Sequence, residues 1–249
     1  MSSTARGHAA GLAPRREAPD IASSTDEYAS RFLGPTGEYL LEVQTRAVMA
    51  LAGPWRGGSV LDVGGGHAQL CAPLLAAGCD VTVQGSDDSC FERVRRRFGD
   101  RVACAEGDLL RLPFPDRSFD LVVSVRMLAH VADAERFVAE LCRVARAAVI
   151  VDYPDLWSVN AFTPLLYPLK KRLEGNTRTY RIYRRRVLTA SFARNGFGRP
   201  RAIGQFFWPM ALHRALGRPS VSRALEALPA AVRLNRLVGT PMVLRLLRA

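Results

Sequence analysis

The sequence predicts a doubly wound α/β fold with a mostly parallel, Rossmann-like sheet, and three observations support this. Short apolar segments alternate with helix-like segments from residue 59 onward. A glycine cluster separates the first predicted strand from the helical segment after it. The chain has 249 residues, of which 48% are hydrophobic, and this is enough to form one large domain with a sizeable core.

Five strands and the helices between them are expected before residue 153. The strands are the segments 60–63, 81–83, 101–105, 121–125 and 147–151. The helices are the segments 69–77, 89–98 and 134–144. Because crossovers between parallel strands are right-handed, the carboxyl ends of the strands meet at one edge of the sheet. Ligands bind at that edge in open α/β sheets.

Four regions follow from the composition along the chain. Residues 1–24 lack periodicity and are rich in Ala, Ser, Arg, Gly and Pro, which predicts a disordered arm. Residues 25–58 are expected to form N-terminal helices, and residues 59–152 the ligand-binding core. Residues 153–249 are expected to complete the sheet with a strand near 198–207. They would also supply the substrate side and end in a basic, amphipathic, helical tail.

The net charge of +12 is concentrated in the C-terminal part. Residues 1–151 carry 17 basic and 19 acidic side chains, whereas residues 152–249 carry 18 basic and 4 acidic ones. An arginine-rich solvated surface explains this pattern. A face that attracts phosphate-bearing substrates, nucleic acid or anionic membranes explains it equally well. No apolar segment approaches the length of roughly 20 residues that a membrane span needs, and the N-terminal segment has no apolar signal region. We therefore expect the protein in the cytoplasm, either free or at the membrane surface.

The five cysteines are scattered, and none of their pairs has the Cys-x-x-Cys spacing of metal or redox sites. Their odd number and their place in apolar segments are typical of reduced thiols that pack as small hydrophobic groups. We therefore expect neither disulfides nor a structural metal.

The turn after the first strand carries the central functional signal. Asp62 ends the strand, and Gly64, Gly65 and Gly66 follow, where glycine lets the backbone approach a ligand at a helix start. The dinucleotide fingerprint has a third glycine at the position of Gln69 and needs no acid before the first one. The pattern therefore differs from that fingerprint.

With its acid and alternating glycines, this turn resembles the first motif of the class I S-adenosylmethionine-dependent methyltransferases. Ala68 stands where the family has its last glycine. The resemblance implies S-adenosylmethionine as cofactor, held by the glycine loop, with Asp62 orienting the loop or the methionine ammonium. It places His67 either in contact with the cofactor or at the start of the helix as a cap.

Other segments match the same family in order, over residues 26–152. Asp108 and Leu109 lie in the segment after strand three, where the family's acid contacts the adenine amino group. Ser124 ends the fourth-strand motif. Tyr28 and Arg31 lie in a segment similar to a helix that covers the cofactor in small-molecule members. We expect all five residues to bind the cofactor.

One position departs from the family pattern. Gly85 stands where the family usually has an acid that accepts hydrogen bonds from both ribose hydroxyls. Gln84 just before it and Asp87 two residues after it are the candidates to replace that acid. We include Asp87 among the expected cofactor ligands.

The candidate general base is His130, because it follows strand four near the ligand-binding edge. A hydrogen-bonded residue at a helix start is the equally strong alternative. Asp152 and Tyr153 end strand five at that edge and remain candidates, whereas Arg126 faces either an acidic substrate or solvent. His213 is better explained by packing.

The resemblance implies transfer of a methyl group to a small-molecule acceptor, and we favour oxygen as the methylated atom. The first alternative is a nucleic-acid methyltransferase, supported by the cluster 184–186 of three arginines. The other is a non-catalytic, cofactor-binding or membrane-surface module. Its apolar anchor would consist of Phe206, Phe207, Trp208 and Leu212. Packing on the sheet or a homodimer contact would also account for this tail.

Overall fold

The computed structural model describes residues 17–158 and 180–249. Their strands are β1 (Ser59–Val63), β2 (Asp80–Gly85), β3 (Ala103–Glu106), β4 (Phe119–Ser124), β5 (Ala145–Tyr153), β6 (Phe197–Phe206) and β7 (Thr240–Arg248). They form one seven-stranded sheet in the order β3-β2-β1-β4-β5-β7-β6. Strands β1 to β5 pair in parallel, and β7 lies antiparallel between β5 and β6. The predicted doubly wound, mostly parallel sheet is confirmed.

Helices cover both faces of this sheet. They are α1 (Pro19–Ser24), α2 (Asp26–Ser30), α3 (Gly34–Ala52), α4 (Cys71–Ala76), α5 (Glu92–Phe98), α6 (Ala134–Val144), α7 (Arg185–Arg194), α8 (Met210–Leu216), α9 (Pro219–Ala231) and α10 (Leu234–Val238). Two short 3-10 turns, Gly65–His67 and Asp88–Phe91, follow β1 and β2. They lie at the carboxyl ends of their strands, where the ligand-binding edge was expected.

Alternate residues of the central strands pack on opposite faces of the sheet, because side chains along a strand point alternately to its two sides. Val60 of β1 belongs to a cluster with residues of α3, α4 and α5. Leu61, the next residue, belongs to a second cluster with residues of α6 and α7. Both clusters are buried from solvent, so the sheet is a rigid support for the loops at its edge.

Two predictions about the ends of the chain are wrong. Residues 19–24, expected to be part of a disordered arm, form α1, which begins with a proline and buries Asp20. Residues 1–16 lie outside the described residues. Residues 240–248, expected to be helical, form β7. This strand is covered on both faces, so its apolar residues are consecutive and show no alternation that would separate a strand from a helix.

Candidate active site

The glycine loop has a backbone that few residues other than glycine adopt. Gly64 has a φ of 73°, in the left-handed region, and its N–H donates to the Gln84 carbonyl over 2.9 Å. A Cβ at Gly65 would lie 2.4 Å from Cγ of Asp62. One at Gly66 would lie 2.4 Å from the Cys90 carbonyl oxygen. Asp62 therefore lies directly under the loop, and the loop packs against the turn after β2.

Asp62 and His67 are buried polar groups at this loop without satisfied hydrogen bonds. Asp62 Oδ1 and both ring nitrogens of His67 have no hydrogen-bond partner among the described residues. Burial raises the pKa of Asp62 to about 7, an effect that the positive charge of Arg126 opposes. Burial, together with the nearby arginines, lowers the pKa of His67 to about 3. His67 is thus neutral near pH 7, and Asp62 changes charge there.

Arg126 lies between the ends of β1 and β5, at a φ of 61° that is uncommon outside glycine. Its backbone N–H donates to Oδ1 of Asp152 over 2.5 Å, and Nε2 of Gln44 donates to Oδ2 over 2.7 Å. Burial raises the pKa of Asp152 to about 6, against the effect of these hydrogen bonds. The Arg126 guanidinium interacts electrostatically with Asp62, His67 and Asp152. The edge therefore gathers two carboxylates around one arginine.

Aromatic residues of α2 and of the turn after it cover this cluster. The ring of Tyr28 packs edge-on against His67 with centroids 6.1 Å apart, and Phe32 packs against the same ring at 5.6 Å. The guanidinium of Arg126 stacks over both aromatic rings. Arg31 is exposed and lies 5.4 Å above the ring of Tyr28. The structure thus brings Tyr28 to the glycine loop, and its contact with the cofactor stays a prediction.

The other expected cofactor ligands lie at the same edge, with side chains that hold the protein together. The Ser124 hydroxyl donates to the Val63 carbonyl over 2.9 Å and joins β4 to β1. Asp108 Oδ1 accepts the Leu110 N–H over 2.8 Å. Leu109 is fully buried in the second core cluster. Direct cofactor contacts by these residues stay predictions.

The candidate base His130 follows β4 and is half-buried, with its ring 6.0 Å from the ring of Tyr180. Tyr153 is less suited to that role. Its buried hydroxyl donates to Asp155 over 3.3 Å and accepts from Arg185 over 3.2 Å, and burial raises its pKa. His213 is fully buried with Nε2 3.1 Å from Glu226, which agrees with a packing role.

Residues 61–151 match a family model described as a methyltransferase domain. The chain contains a class I S-adenosylmethionine-dependent methyltransferase domain. The chain is 32% identical over 93 residues to norajmaline N-methyltransferase of Rauvolfia serpentina, covering 35% of this chain and 32% of that protein. It is 38% identical over 94 residues to a probable tocopherol O-methyltransferase of Oryza sativa subsp. japonica, covering 35% of this chain and 26% of that protein.

The chain thus aligns with only about a third or less of these two relatives, at 32% and 26% of their lengths. The fold itself extends further. An S-adenosylmethionine-dependent methyltransferase from Thermotoga maritima superposes with a TM-score of 0.66 over 92% of this chain and 99% of its own. Its sequence identity is 20%, so this likeness concerns the fold of the methyltransferase domain.

The residues of the methyltransferase domain fit its cofactor, S-adenosylmethionine. When bound, the cofactor supplies a methyl group on a positively charged sulfonium. Within residues 17–158 and 180–249 no donor reaches the buried Oδ1 of Asp62, which leaves that oxygen available to an ammonium group. The glycine loop lets backbone come close to a ligand without side chains in the way. In the described residues no group of three or more His, Cys, Asp or Glu side chains could hold a metal.

One buried acid near the site was missed by the sequence analysis. Asp20 of α1 is fully buried, and its carboxylate reaches the end of β2. It was assigned to a disordered arm because the sequence around it has no periodicity. The Pro19-Asp20 pair is a helix-start signal that could have revealed α1. Nothing in the sequence showed where its carboxylate would lie.

Proposed function

We propose that this protein transfers a methyl group from S-adenosylmethionine to a small-molecule acceptor, and that the methylated atom is oxygen. The observation that carries the proposal is that Oδ1 of Asp62 and both ring nitrogens of His67 are buried at the glycine loop with no hydrogen-bond partner in the part of the chain that the structure describes. The names of the two relatives, norajmaline N-methyltransferase and tocopherol O-methyltransferase, support a small-molecule acceptor, at nitrogen in one case and oxygen in the other.

Methyl transfer from a sulfonium is an in-line displacement, so the protein must align the acceptor and keep water out. Tyr28 and Phe32 cover the cluster at the glycine loop and exclude water there. His130 stands at the carboxyl end of β4, where it would take the proton from an acceptor hydroxyl. Because an alcohol holds its proton near pH 7, such a base is needed for oxygen and not for a neutral amine.

Calorimetric titration with S-adenosylhomocysteine tests the cofactor part. We expect micromolar binding by the intact protein and its loss in an Asp62→Ala, Gly64→Ala double variant. Asp80→Ala is the matched control, because Asp80 is exposed at the opposite, amino end of β2. No binding by the intact protein would favour the non-catalytic module.

A screen with radiolabelled methyl groups tests the acceptor part. Phenols and anilines of matched skeleton should be compared, with the prediction that the phenols are methylated. His130→Ala should lower kcat with little change in the affinity for S-adenosylhomocysteine. Methylation of the anilines alone would exclude oxygen as the acceptor atom. If His130→Ala turned over as fast as the wild type at every pH, His130 would be excluded as the base.

The nucleic-acid alternative rests on the basic C-terminal part. Arg184 and Arg186 are exposed, as binding to phosphate would require. We nevertheless favour a small molecule, because the chain has neither an Asn-Pro-Pro-Tyr motif after β4 nor a Pro-Cys nucleophile. Tight RNA binding that weakens steeply with added salt, together with methylation of that RNA, would reverse this preference.

We also propose that the protein is cytoplasmic and touches anionic membranes weakly through α9 and α10. Phe206 is fully buried, so the anchor expected from the sequence is wrong at that residue. Trp208 and Leu212 of that anchor are exposed, at 37% each, and the most exposed apolar side chains of the tail are Leu228 at 72%, Leu237 at 66% and Val232 at 58%. The one acidic residue after Asp155 that the structure describes, Glu226, is buried, so exposed arginines dominate this surface.

Co-sedimentation with vesicles tests this contact. Phosphatidylserine vesicles at low salt should retain the protein, whereas pure phosphatidylcholine vesicles should not. Leu228→Glu with Leu237→Glu should abolish retention. Failure to bind phosphatidylserine vesicles would remove the proposal. Among the described residues, no helix is long and apolar enough to cross a bilayer.

A further inference from the structure

The end of β2 has no room for the acid that the family usually places there. A Cβ at Gly85 would lie 2.7 Å from Cβ of Cys90 and 3.0 Å from the ring of Phe91. Neither contact is compatible with a carboxylate side chain at this position. The residue that binds the ribose must therefore come from elsewhere in the chain.

The two substitutes that the sequence suggested are both engaged in other contacts. Gln84 is fully buried, and its Nε2 donates to the Gly107 carbonyl over 2.9 Å, towards β3. Asp87 is exposed, and its Oδ1 accepts from the backbone N–H of Ser89 at 3.0 Å and from its hydroxyl at 2.6 Å. Asp87 thus caps the 3-10 turn that follows it.

A third carboxylate stands at the end of β2, and it comes from α1. Asp20 Oδ2 accepts the backbone N–H of Ser86, the residue after Gly85, over 2.6 Å. The Cys90 thiol donates to the same oxygen over 3.5 Å. The side chain is fully buried, and Oδ1 has no hydrogen-bond partner among the described residues. A buried acceptor of this kind needs a donor, which a ligand can supply.

Helix α1 is held in place against the glycine loop. The Ser24 hydroxyl donates to the Asp20 carbonyl over 2.8 Å, inside the helix. The same hydroxyl approaches Gly66 so closely that a Cβ there would overlap it at 2.1 Å. The position of Asp20 is therefore fixed by packing between the glycine loop and the turn after β2.

We propose that Asp20 supplies the carboxylate that binds the ribose hydroxyls of S-adenosylmethionine, in place of an acid at the end of β2. The proposal rests on the proposed function, because it assigns a residue to the same cofactor site. A carboxylate suits this role because it accepts two hydrogen bonds at once from a vicinal diol. The glycine at position 85 is then compensated by a residue 65 positions earlier in the chain.

Calorimetry with nucleoside fragments tests the assignment. The probes are S-adenosylhomocysteine, 5′-methylthioadenosine and its 2′-deoxy counterpart, and the variant is Asp20→Ala. We expect the variant to bind methylthioadenosine roughly 10-fold to 100-fold more weakly than the wild type. The 2′-deoxy probe should bind the wild type more weakly, and the variant should discriminate little between the two nucleosides. Asp26→Ala, an exposed acid on α2, is the matched control and should change nothing.

The possible outcomes separate this assignment from the proposed function. If the wild type does not bind S-adenosylhomocysteine, the proposed function fails and the assignment fails with it. If the wild type binds and Asp20→Ala binds equally well, the assignment alone fails. Tighter binding by the variant would mean that Asp20 blocks the site. If removal of the 2′-hydroxyl weakened binding equally in the wild type and in Asp20→Ala, Asp20 would affect binding only through the fold. Circular dichroism of the two proteins would show whether the fold had changed.

Discussion

Replacing Asp62 with asparagine should stabilise the cofactor-free protein by an amount that increases with pH. Asp62 is 2% exposed, and burial raises its pKa from the ordinary value of 3.8 to about 7. Below about pH 3 the carboxyl group is protonated in the folded and unfolded states, so its burial costs no ionisation energy. Above about pH 8 it is ionised in both states, and the cost to the folded state is complete. Asparagine has almost the same shape and never ionises.

The size of the effect follows from the two pKa values. The pKa of Asp62 is higher in the folded protein than in the unfolded chain. This difference destabilises the folded protein by roughly 4 kcal/mol above pH 8 and by about 1–2 kcal/mol at pH 5. The stability difference between Asp62→Asn and wild type should therefore grow by about 2–3 kcal/mol between pH 5 and pH 8. Any constant change in packing cancels from this comparison.

Urea unfolding followed by circular dichroism at pH 5, 6, 7 and 8 measures this difference. The exposed acid Asp80 provides the matched control, and Asp80→Asn should show a flat difference. A flat difference for Asp62→Asn as well would refute the reasoning, because it would mean that Asp62 is solvated in the folded protein. If Asp62 also binds the methionine ammonium, the affinity for S-adenosylhomocysteine should rise with pH through about 7 in the wild type and stay flat in the variant.

Two further predictions concern Glu226 and Gly66. Glu226→Ala should destabilise the protein by about 3–5 kcal/mol in urea, because it leaves two backbone N–H groups and His213 without their buried acceptor. Glu135 forms an exposed ion pair, so Glu135→Ala should lower the free energy of unfolding by less than about 1 kcal/mol. Equal losses of stability in the two variants would contradict the burial of Glu226. Gly66→Ala should weaken binding of S-adenosylhomocysteine at least about 10-fold, since its Cβ would overlap the Cys90 carbonyl. Unchanged calorimetric affinity would show that the loop can move aside.

The sequence predicted the sheet well where the pattern is local. Segments such as β4 and α6 are recognisable because their apolar residues repeat with the period of their own structure. The glycine loop and Asp62 were recognisable as well, because glycines directly after a strand mark a sharp turn into a helix start. The position of β7 was not recognisable, since a strand covered on both faces loses the alternation that marks it.

The sequence by itself determined the fold class, the glycine turn after the first strand and the family that the methyltransferase domain resembles. These depend on contacts between residues near one another in the chain. Only the tertiary structure decided that α1 packs on the glycine loop, that Asp20 reaches the end of β2, and that Arg126 lies between Asp62 and Asp152. These are contacts between distant segments, which depend on how helices pack on the sheet, and no local period of the sequence encodes them.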